Sequence, residues 1–164
     1  MLLPHAAYAL QLDAVARDNN RRLDLAWKYA DSLFSDGRYR EAEAVLEEVF
    51  QTNLRVLGNE HPDTLASMHN LAVTRRYQGR WDEAAKLQVQ VVESNKKKLG
   101  TDHPHTLINM NQLASTYKLQ GRWKEAEELQ VLVMETRLRM LGDEHSDTLT
   151  SMHNIALTRR AQGR

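Results

Sequence analysis

A 42-residue internal repeat constrains the fold of this 164-residue chain more than any other feature. The dipeptide Leu-Gly recurs at 57–58, 99–100 and 141–142, and the stretches 57–80 and 141–164 are identical at 18 of 24 positions. Periods of about 20–50 residues are typical of solenoids and related arrays. The chemistry of one active site, by contrast, is seldom written three times at equal intervals. The repeat therefore indicates architecture rather than catalysis.

Each repeat is predicted to form two helices. Residues 62–78 carry apolar side chains at helical spacing, namely Leu65, Met68, Leu71 and Ala72. Pro62 suits the first turn of this helix, and Gly79 suits its end because glycine tolerates the left-handed conformation found there. A second helix is expected at about 81–98, ended by Gly100, with its buried side formed by Trp81, Ala84, Leu87 and Val91. The connector "LGNEHPDTL" at 57–65 then closes one helix and opens the next.

Histidines recur in these connectors and invite a metal hypothesis. Equivalent positions hold His61, His103 and His145, with His69, His105 and His153 besides. Equivalent positions in neighbouring repeats lie about 10 Å apart, the packing distance of helices, whereas zinc takes nitrogen ligands at about 2 Å. Equivalent histidines therefore cannot share an ion, and the close pair His103-x-His105 lacks an evident third ligand. We expect these histidines to be structural residues of the connectors and not ligands of a metal ion.

Composition argues against several classes of function. The chain has 22 lysines and arginines and 22 aspartates and glutamates. Its net charge therefore creates no electrostatic field that would favour binding to nucleic acid or to an anionic membrane. Cysteine is absent, which removes disulfides, thiolate nucleophiles and cysteine-based zinc sites. We find no membrane span, secretory leader, P-loop or nucleophile-elbow motif. Clustered glutamates such as Glu125, Glu127 and Glu128 fit solvated helix faces rather than acid–base pairs. We expect a cytoplasmic protein that is not an enzyme and uses no cofactor.

The repeated blocks resemble the tetratricopeptide repeat. The stretch "NLAVTRRYQGRWDEAAKL" (70–87) has that family's small residue, turn glycine, aromatic residue and close-packing alanine at Ala72, Gly79, Trp81 and Ala84. The usual repeat has about 34 residues. The longer version seen here is similar to the repeats of kinesin light chains, and more so to those of fungal and bacterial NLR-type receptors. The resemblance covers about 19–164 and implies an all-α fold, a right-handed α-solenoid of antiparallel helix pairs.

The array is expected to divide unevenly. We assign 1–18 to a degenerate N-terminal half-repeat or cap, 19–60 to a divergent repeat, 61–102 and 103–144 to two regular repeats, and 145–164 to the first helix of a truncated repeat. That last helix keeps Met152, Ile155, Ala156 and Leu157 available for packing. We therefore expect a fragment of a longer protein, whose exposed array ends can pair with another copy.

In the family that the resemblance names, first helices line a concave groove and contact the partner. Transferred by repeat position, the proposed contacts are the eight residues Trp27, His69, Arg76, Tyr77, Asn111, Lys118, His153 and Arg160. The same transfer also places Ile108, Leu119 and Leu157 on this face. A ladder of cations beside hydrogen-bonding side chains suits an extended peptide with acidic side chains or a C-terminal carboxylate. Two alternatives remain open: the residues are solvated faces of a spacer, or they brace neighbouring repeats. Trp27 is either a ligand anchor or covered by the N-terminal segment.

Two functional hypotheses follow from the resemblance. The first is a non-catalytic module that binds a peptide or partner protein, an acidic one included, through the concave face. The second is a sensor or oligomerisation arm of a larger NLR-type nucleotide-binding signalling receptor. A coiled-coil segment elsewhere in the parent protein favours the first, and a Walker A motif upstream favours the second. Neither involves nucleic acid or a membrane.

Overall fold

The computed structural model describes residues 21–163, and these are helices joined by short turns, with no strand. The helices are α1 (21–35), α2 (Tyr39–Leu57), α3 (Pro62–Tyr77), α4 (Trp81–Leu99), α5 (Pro104–Leu119), α6 (Trp123–Leu141) and α7 (Ser146–Ala161). The first helices α3, α5 and α7 have 16 residues each, and the second helices α2, α4 and α6 have 19. The all-α class is confirmed. The predicted half-repeat at 1–18 lies outside the described residues.

The chain forms two compact units, divided between Ser67 and Met68. In the second unit α4 packs on α5, α5 on α6, and α6 on α7. The turns between them are short, so neighbouring helices run antiparallel. The core of this unit consists of Ala85, Val92, Leu107, Met110, Leu113 and Val133. The apolar stripe of α5 is thus buried between α4 and α6, which is the stacked-pair packing of an α-solenoid.

In the first unit α2 buries Ala42, Leu46, Val49 and Asn53. Asn53 is polar, and its Nδ2 donates to the carbonyl oxygen of Asp63 in the first turn of α3, at 3.2 Å. The equivalent residue of α6, Arg137, donates from Nη1 to the carbonyl oxygen of Asp147 in α7, at 3.1 Å. One repeat position therefore ties a second helix to the start of the following first helix, although its side chain differs between repeats.

The connector histidines cap the first helices. His103 is the N-cap of α5, and its Nδ1 accepts the backbone N–H of His105 at 3.2 Å. His61 and His145 accept the equivalent N–H at their own connectors, at 3.2 and 3.1 Å. Such an acceptor satisfies one of the backbone donors that a helix start leaves unpaired. The expected structural connector therefore has a specific chemical role, which sequence analysis did not identify.

A Gly-Arg pair shapes each turn between a first and a second helix. Gly79 has a φ of +78°, the left-handed conformation expected there. Arg80 then donates from Nε and Nη2 to both carboxylate oxygens of Glu83, at 2.7 and 2.5 Å, and these hydrogen bonds hold the pKa of Glu83 below its usual value. Arg38–Glu41 and Arg122–Glu125 repeat the clamp. Solvent screens ion pairs as exposed as these, so the clamp orients the turn more than it stabilises the fold.

The predicted helix bounds agree with the structure to within one residue at each end. The stripe of the first helix is also confirmed, because Leu65, Met68, Leu71 and Ala72 are all buried. The stripe of the second helix was partly wrong. Ala84 and Val91 are buried, but Leu87 is only half-buried and Trp81 is 38% exposed. Trp81 is the first residue of α4, and residues at a helix end have fewer neighbours to cover them.

Candidate binding surface

The structure places all eight predicted contact residues on first helices. They are Trp27 on α1, His69, Arg76 and Tyr77 on α3, Asn111 and Lys118 on α5, and His153 and Arg160 on α7. The seven from His69 onward belong to the second unit. Trp27 belongs to the first unit, where it is half-buried. We call the seven residues of the second unit the ladder face.

His69 brings two neighbouring first helices together. Its imidazole, half-buried on α3, is hydrogen-bonded to Asn109 of α5. Burial lowers the pKa of His69, the positive charge of Arg76 lowers it further, and the Asn109 hydrogen bond opposes both effects. A lowered pKa disfavours the charged form of this imidazole, and the permanent cations of the ladder face are Arg76, Lys118 and Arg160.

Those cations form no ion pair with any carboxylate in the described part of the chain. Arg76 and Lys118 are half-buried, whereas Arg160 is exposed. The guanidinium of Arg76 lies over the ring of Tyr77, 5.4 Å from its centroid, which keeps the head group on the surface. Three cationic groups at equivalent positions are therefore available to an incoming anion.

The charges of the first helices are distributed unevenly along their length. The acidic residues of α3, α5 and α7 are Asp63 and Asp147, and both stand in a first turn. All charged residues in the last turns of the same helices are basic. Because the whole chain has a formal net charge of zero, this end of the first helices has a local positive excess that the overall composition conceals.

The arginines that precede two of the ladder cations, Arg75 and Arg159, contact carboxylates of second helices. Arg159 of α7 donates from Nε to Glu127 of α6 at 2.7 Å, and Arg75 of α3 lies 3.9 Å from Glu83 of α4. Glu127 is only 14% exposed at its side chain, so the expectation of a solvated glutamate was wrong for this residue. Arg159 therefore connects its repeat to the preceding one and Arg75 pairs within its own repeat, whereas the neighbouring Arg76 and Arg160 belong to the ladder face.

Apolar residues accompany the ladder cations. Ile108, Leu119 and Leu157 are 45%, 46% and 45% exposed on α5 and α7. The repeat register already assigns these three residues to the contact face, whereas Asn109, the partner of His69, was not predicted. The signal for the three apolar residues was in the sequence, since each lies off the buried stripe of its helix. A contact between helices 40 residues apart, such as His69–Asn109, leaves no comparable local signal.

The described residues contain no group of three or more histidine, cysteine, aspartate or glutamate side chains placed to hold a metal ion. The rings of His103 and His105 stack with centroids 5.5 Å apart, and Nδ1 of His103 is already a cap acceptor. In the same part of the chain, every helix is too short or too polar to cross a membrane.

Antiparallel helix pairs stacked in chain order define a repeat scaffold of the kind that binds other proteins. The tetratricopeptide repeat family matches residues 21–97, 75–135 and 108–164. The chain therefore belongs to the tetratricopeptide repeat family. This fold is typical of non-catalytic scaffolds for protein partners.

Known relatives connect the chain with two groups of proteins. A nucleotide-binding leucine-rich repeat (NLR)-like protein of Hyaloscypha variabilis is 45% identical over 68 residues, which is 41% of this chain and 7% of that protein. The chain thus corresponds to a small part of this relative. A crystal structure of nearly identical TPR-like repeats, from a Podospora anserina protein assigned as a kinesin light chain, has a TM-score of 0.78 and 34% identity, covering 87% of this chain and 67% of that one.

A second structure shows the fold alone. BtubC from P. vanneervenii has a TM-score of 0.74 at 19% identity, covering 93% of this chain and 61% of its own. The resemblances to kinesin light chains and to NLR-type proteins that the sequence motifs indicated are both confirmed.

Proposed function

We propose that this chain is a non-catalytic interaction module that binds an acidic peptide, or an acidic segment of a partner protein, along the concave face of its first helices. The observation that carries the proposal is the ladder of Arg76, Lys118 and Arg160. These cations occupy one repeat position and form no ion pair within the described residues. A chain of zero net charge that keeps such a ladder free of ion pairs in its described part is suited to an external anion.

The dimensions of an extended peptide fit this ladder. Neighbouring packed helices lie about 10 Å apart, and an extended chain advances about 3.3 Å per residue. About every third peptide residue therefore meets a cation. Arginine binds a carboxylate through two parallel hydrogen bonds, which adds orientation to charge attraction. Apolar contacts between the charged positions come from three exposed side chains, Ile108, Leu119 and Leu157. Polar contacts come from Tyr77, His69, Asn111 and His153. Trp27 is a further proposed contact, on α1.

The test is a fluorescence-anisotropy titration of the full chain with a labelled nonapeptide carrying aspartate at every third position. We expect saturable binding that weakens as salt is added, because exposed charges are screened within about 10 Å at 0.1 M salt. Replacing Arg76, Lys118 and Arg160 together by glutamine is expected to weaken binding at least about tenfold, since charge-assisted hydrogen bonds contribute about 1.5–3 kcal/mol each.

The matched control replaces Lys86, Lys97 and Lys98 of the second helix α4 by glutamine, which removes the same number of positive charges. This variant should bind as the wild type does. Equal weakening by both triple variants would show a non-specific charge effect and contradict the groove. A peptide with lysine in place of aspartate should not bind, and its binding would contradict the electrostatic basis of the proposal.

A second candidate function is supported by the 45% identity to the NLR-like protein. In this proposal the array is a sensor or oligomerisation arm of a larger nucleotide-binding receptor. Sequencing the complete transcript that encodes this chain is the direct test. A Walker A motif upstream supports the receptor arm, whereas coiled-coil heptads without such a motif favour the peptide-binding module.

A further inference from the structure

Helix α5 differs from α3 and α7 at surface positions and not at core positions. The core position held by Thr74, Thr116 and Thr158, for example, carries one residue type in all three helices, at 1%, 0% and 0% exposed. Within 69–77 and the equivalent residues, α3 and α7 are identical and α5 differs at four positions, none of which is buried in any of the three helices. The residues are His69, Asn70, Arg75 and Arg76 in α3 and again His153, Asn154, Arg159 and Arg160 in α7, against Asn111, Gln112, Tyr117 and Lys118 in α5.

The contact between neighbouring first helices shows the same alternation. Asn109 of α5 is hydrogen-bonded to His69 of α3. The equivalent residue of α7 is Ser151, whose Oγ accepts a hydrogen bond from Nη1 of Arg137 at 3.0 Å. Adjacent first helices therefore differ in their surface chemistry, whereas the two that lie two repeats apart match.

The three cations of the ladder face differ in kind as a result. In α5 the position before the ladder cation is Tyr117, whose ring lies beneath the guanidinium of Arg122, 3.9 Å from the centroid. Lys118 presents a compact ammonium, whereas Arg76 and Arg160 each present a planar guanidinium with N–H groups in a fixed geometry. An arginine can donate to both oxygens of one carboxylate at once, and a lysine acts as a point charge.

The two ladder arginines stand two repeats apart. Packed helices lie about 10 Å from one another, which places α7 about 20 Å from α3. An extended peptide advances about 3.3 Å per residue, so about six residues cover this distance. Four residues cover about 13 Å and eight about 26 Å. Neither spacing matches the two arginines.

We infer that the ladder face selects peptides whose acidic residues stand six positions apart, with Arg76 and Arg160 each binding one carboxylate through two N–H groups. Lys118 adds attraction without a preferred direction to the segment between them. The inference rests on the proposed peptide groove and adds to it the spacing of the acidic residues. Three equivalent cations would favour a spacing of three residues, but the alternation of surface residues favours twice that spacing.

The experiment compares fluorescein-labelled peptides of one composition that carry two aspartates four, six or eight positions apart. The full chain is titrated into each peptide and anisotropy is recorded. We expect the six-spaced peptide to bind at least about threefold more tightly than the other two, because it alone can form both paired sets of hydrogen bonds at once. Equal length and charge make the three peptides controls for one another.

Two substitutions that keep the charge test the role of the guanidinium groups. Arg160→Lys should weaken binding of the six-spaced peptide at least about threefold, because one hydrogen bond to the carboxylate is lost. Lys118→Arg should raise the affinity for a peptide with aspartates three positions apart to that of the six-spaced peptide. Lys86→Arg, the same exchange on the second helix α4, is the control and should change neither affinity.

The outcomes separate this inference from the proposed function. Equal affinities for the four-, six- and eight-spaced peptides, together with binding of the nonapeptide that has aspartate at every third position, would overturn the spacing and leave the peptide groove standing. Failure of that nonapeptide to bind would overturn both. An Arg160→Lys variant that binds the six-spaced peptide as the wild type does would show that charge alone suffices, which contradicts the inference.

Discussion

At the scale of single residues, the same repeat position has different properties in different repeats, because its surroundings differ. His69 and His153 are equivalent in sequence, but His69 is half-buried against α5 whereas His153 is exposed on α7. Burial and the charge of Arg76 both disfavour the protonated form of His69, so its pKa is lowered. The consequence is that His69 contributes to a pH dependence of stability.

We predict that His69→Asn, the residue present at the equivalent Asn111, reduces the loss of stability on acidification. The folded-state pKa of His69 lies below the unfolded value of about 6.5, so the unfolded chain takes up the proton first as pH falls. The neutral imidazole makes its full contribution to stability at pH values above the unfolded-state pKa. This contribution is lost as the pH falls from the unfolded-state pKa toward the folded-state pKa. Urea unfolding at pH 7.5 and 5.5 measures the difference. His153→Asn is the control, and an equal effect of both variants would contradict the prediction.

At the scale of helices, capping residues determine where each first helix begins. His103 accepts the N–H of His105, and Pro104 occupies the first turn, where a missing N–H leaves no acceptor unsatisfied. The glycine after each second helix marks the point where that helix ends. Gly100 has a φ of +93°, which side chains rarely adopt, and its N–H donates to the carbonyl oxygen of Lys96 at 3.1 Å. Starts and stops of the helices are thus encoded within a few residues.

The cap makes a direct prediction for helix stability. His103→Ala should lower the free energy of unfolding by about 1 kcal/mol, the usual effect of removing an N-cap acceptor. His103→Asn should restore most of it, because the asparagine side-chain oxygen accepts the same N–H. Denaturant melts of the three proteins at pH 7.5 provide the measurement. If asparagine is as destabilising as alanine, the histidine contributes by packing and not by capping.

At the scale of the whole molecule, stability depends on where in the array a residue lies. Met110 and Met152 hold the same repeat position, yet Met110 is 0% and Met152 39% exposed. Stability in such arrays is the sum of terms within repeats and between neighbours. The same substitution at the two positions therefore separates the contribution of a following helix from that of the repeat itself.

Met110→Ala is expected to lower the free energy of unfolding by about 2–5 kcal/mol, through lost burial and the cavity that remains. Met152→Ala should lower it by less than about 1 kcal/mol, because much of its side chain is hydrated in the folded state. Chemical denaturation of both variants beside the wild type tests this. Similar losses at the two positions would mean that α7 is covered in solution.

Much of the candidate site could be read from the sequence, because repeat position places a residue on a face of a helix. Arg76, Lys118 and Arg160 were predicted together and lie on first helices at one register. The same reasoning left Arg159 out of the contact set in favour of Arg160, but it gave Arg159 no partner. Only the position of Glu127 on α6 shows that the first of them is a brace.

What the sequence determined by itself is the part of the structure that is encoded locally. Apolar spacing produces the helices, positive-φ glycines end them, and the 42-residue period stacks them. What only the tertiary structure decided is the environment of each repeated residue: that His69 is shielded and His153 is not, and that Met110 is covered and Met152 is open. The physical reason is that burial and electrostatic environment depend on helices about one repeat away in the chain, and near-identical repeats carry no local mark of their neighbours.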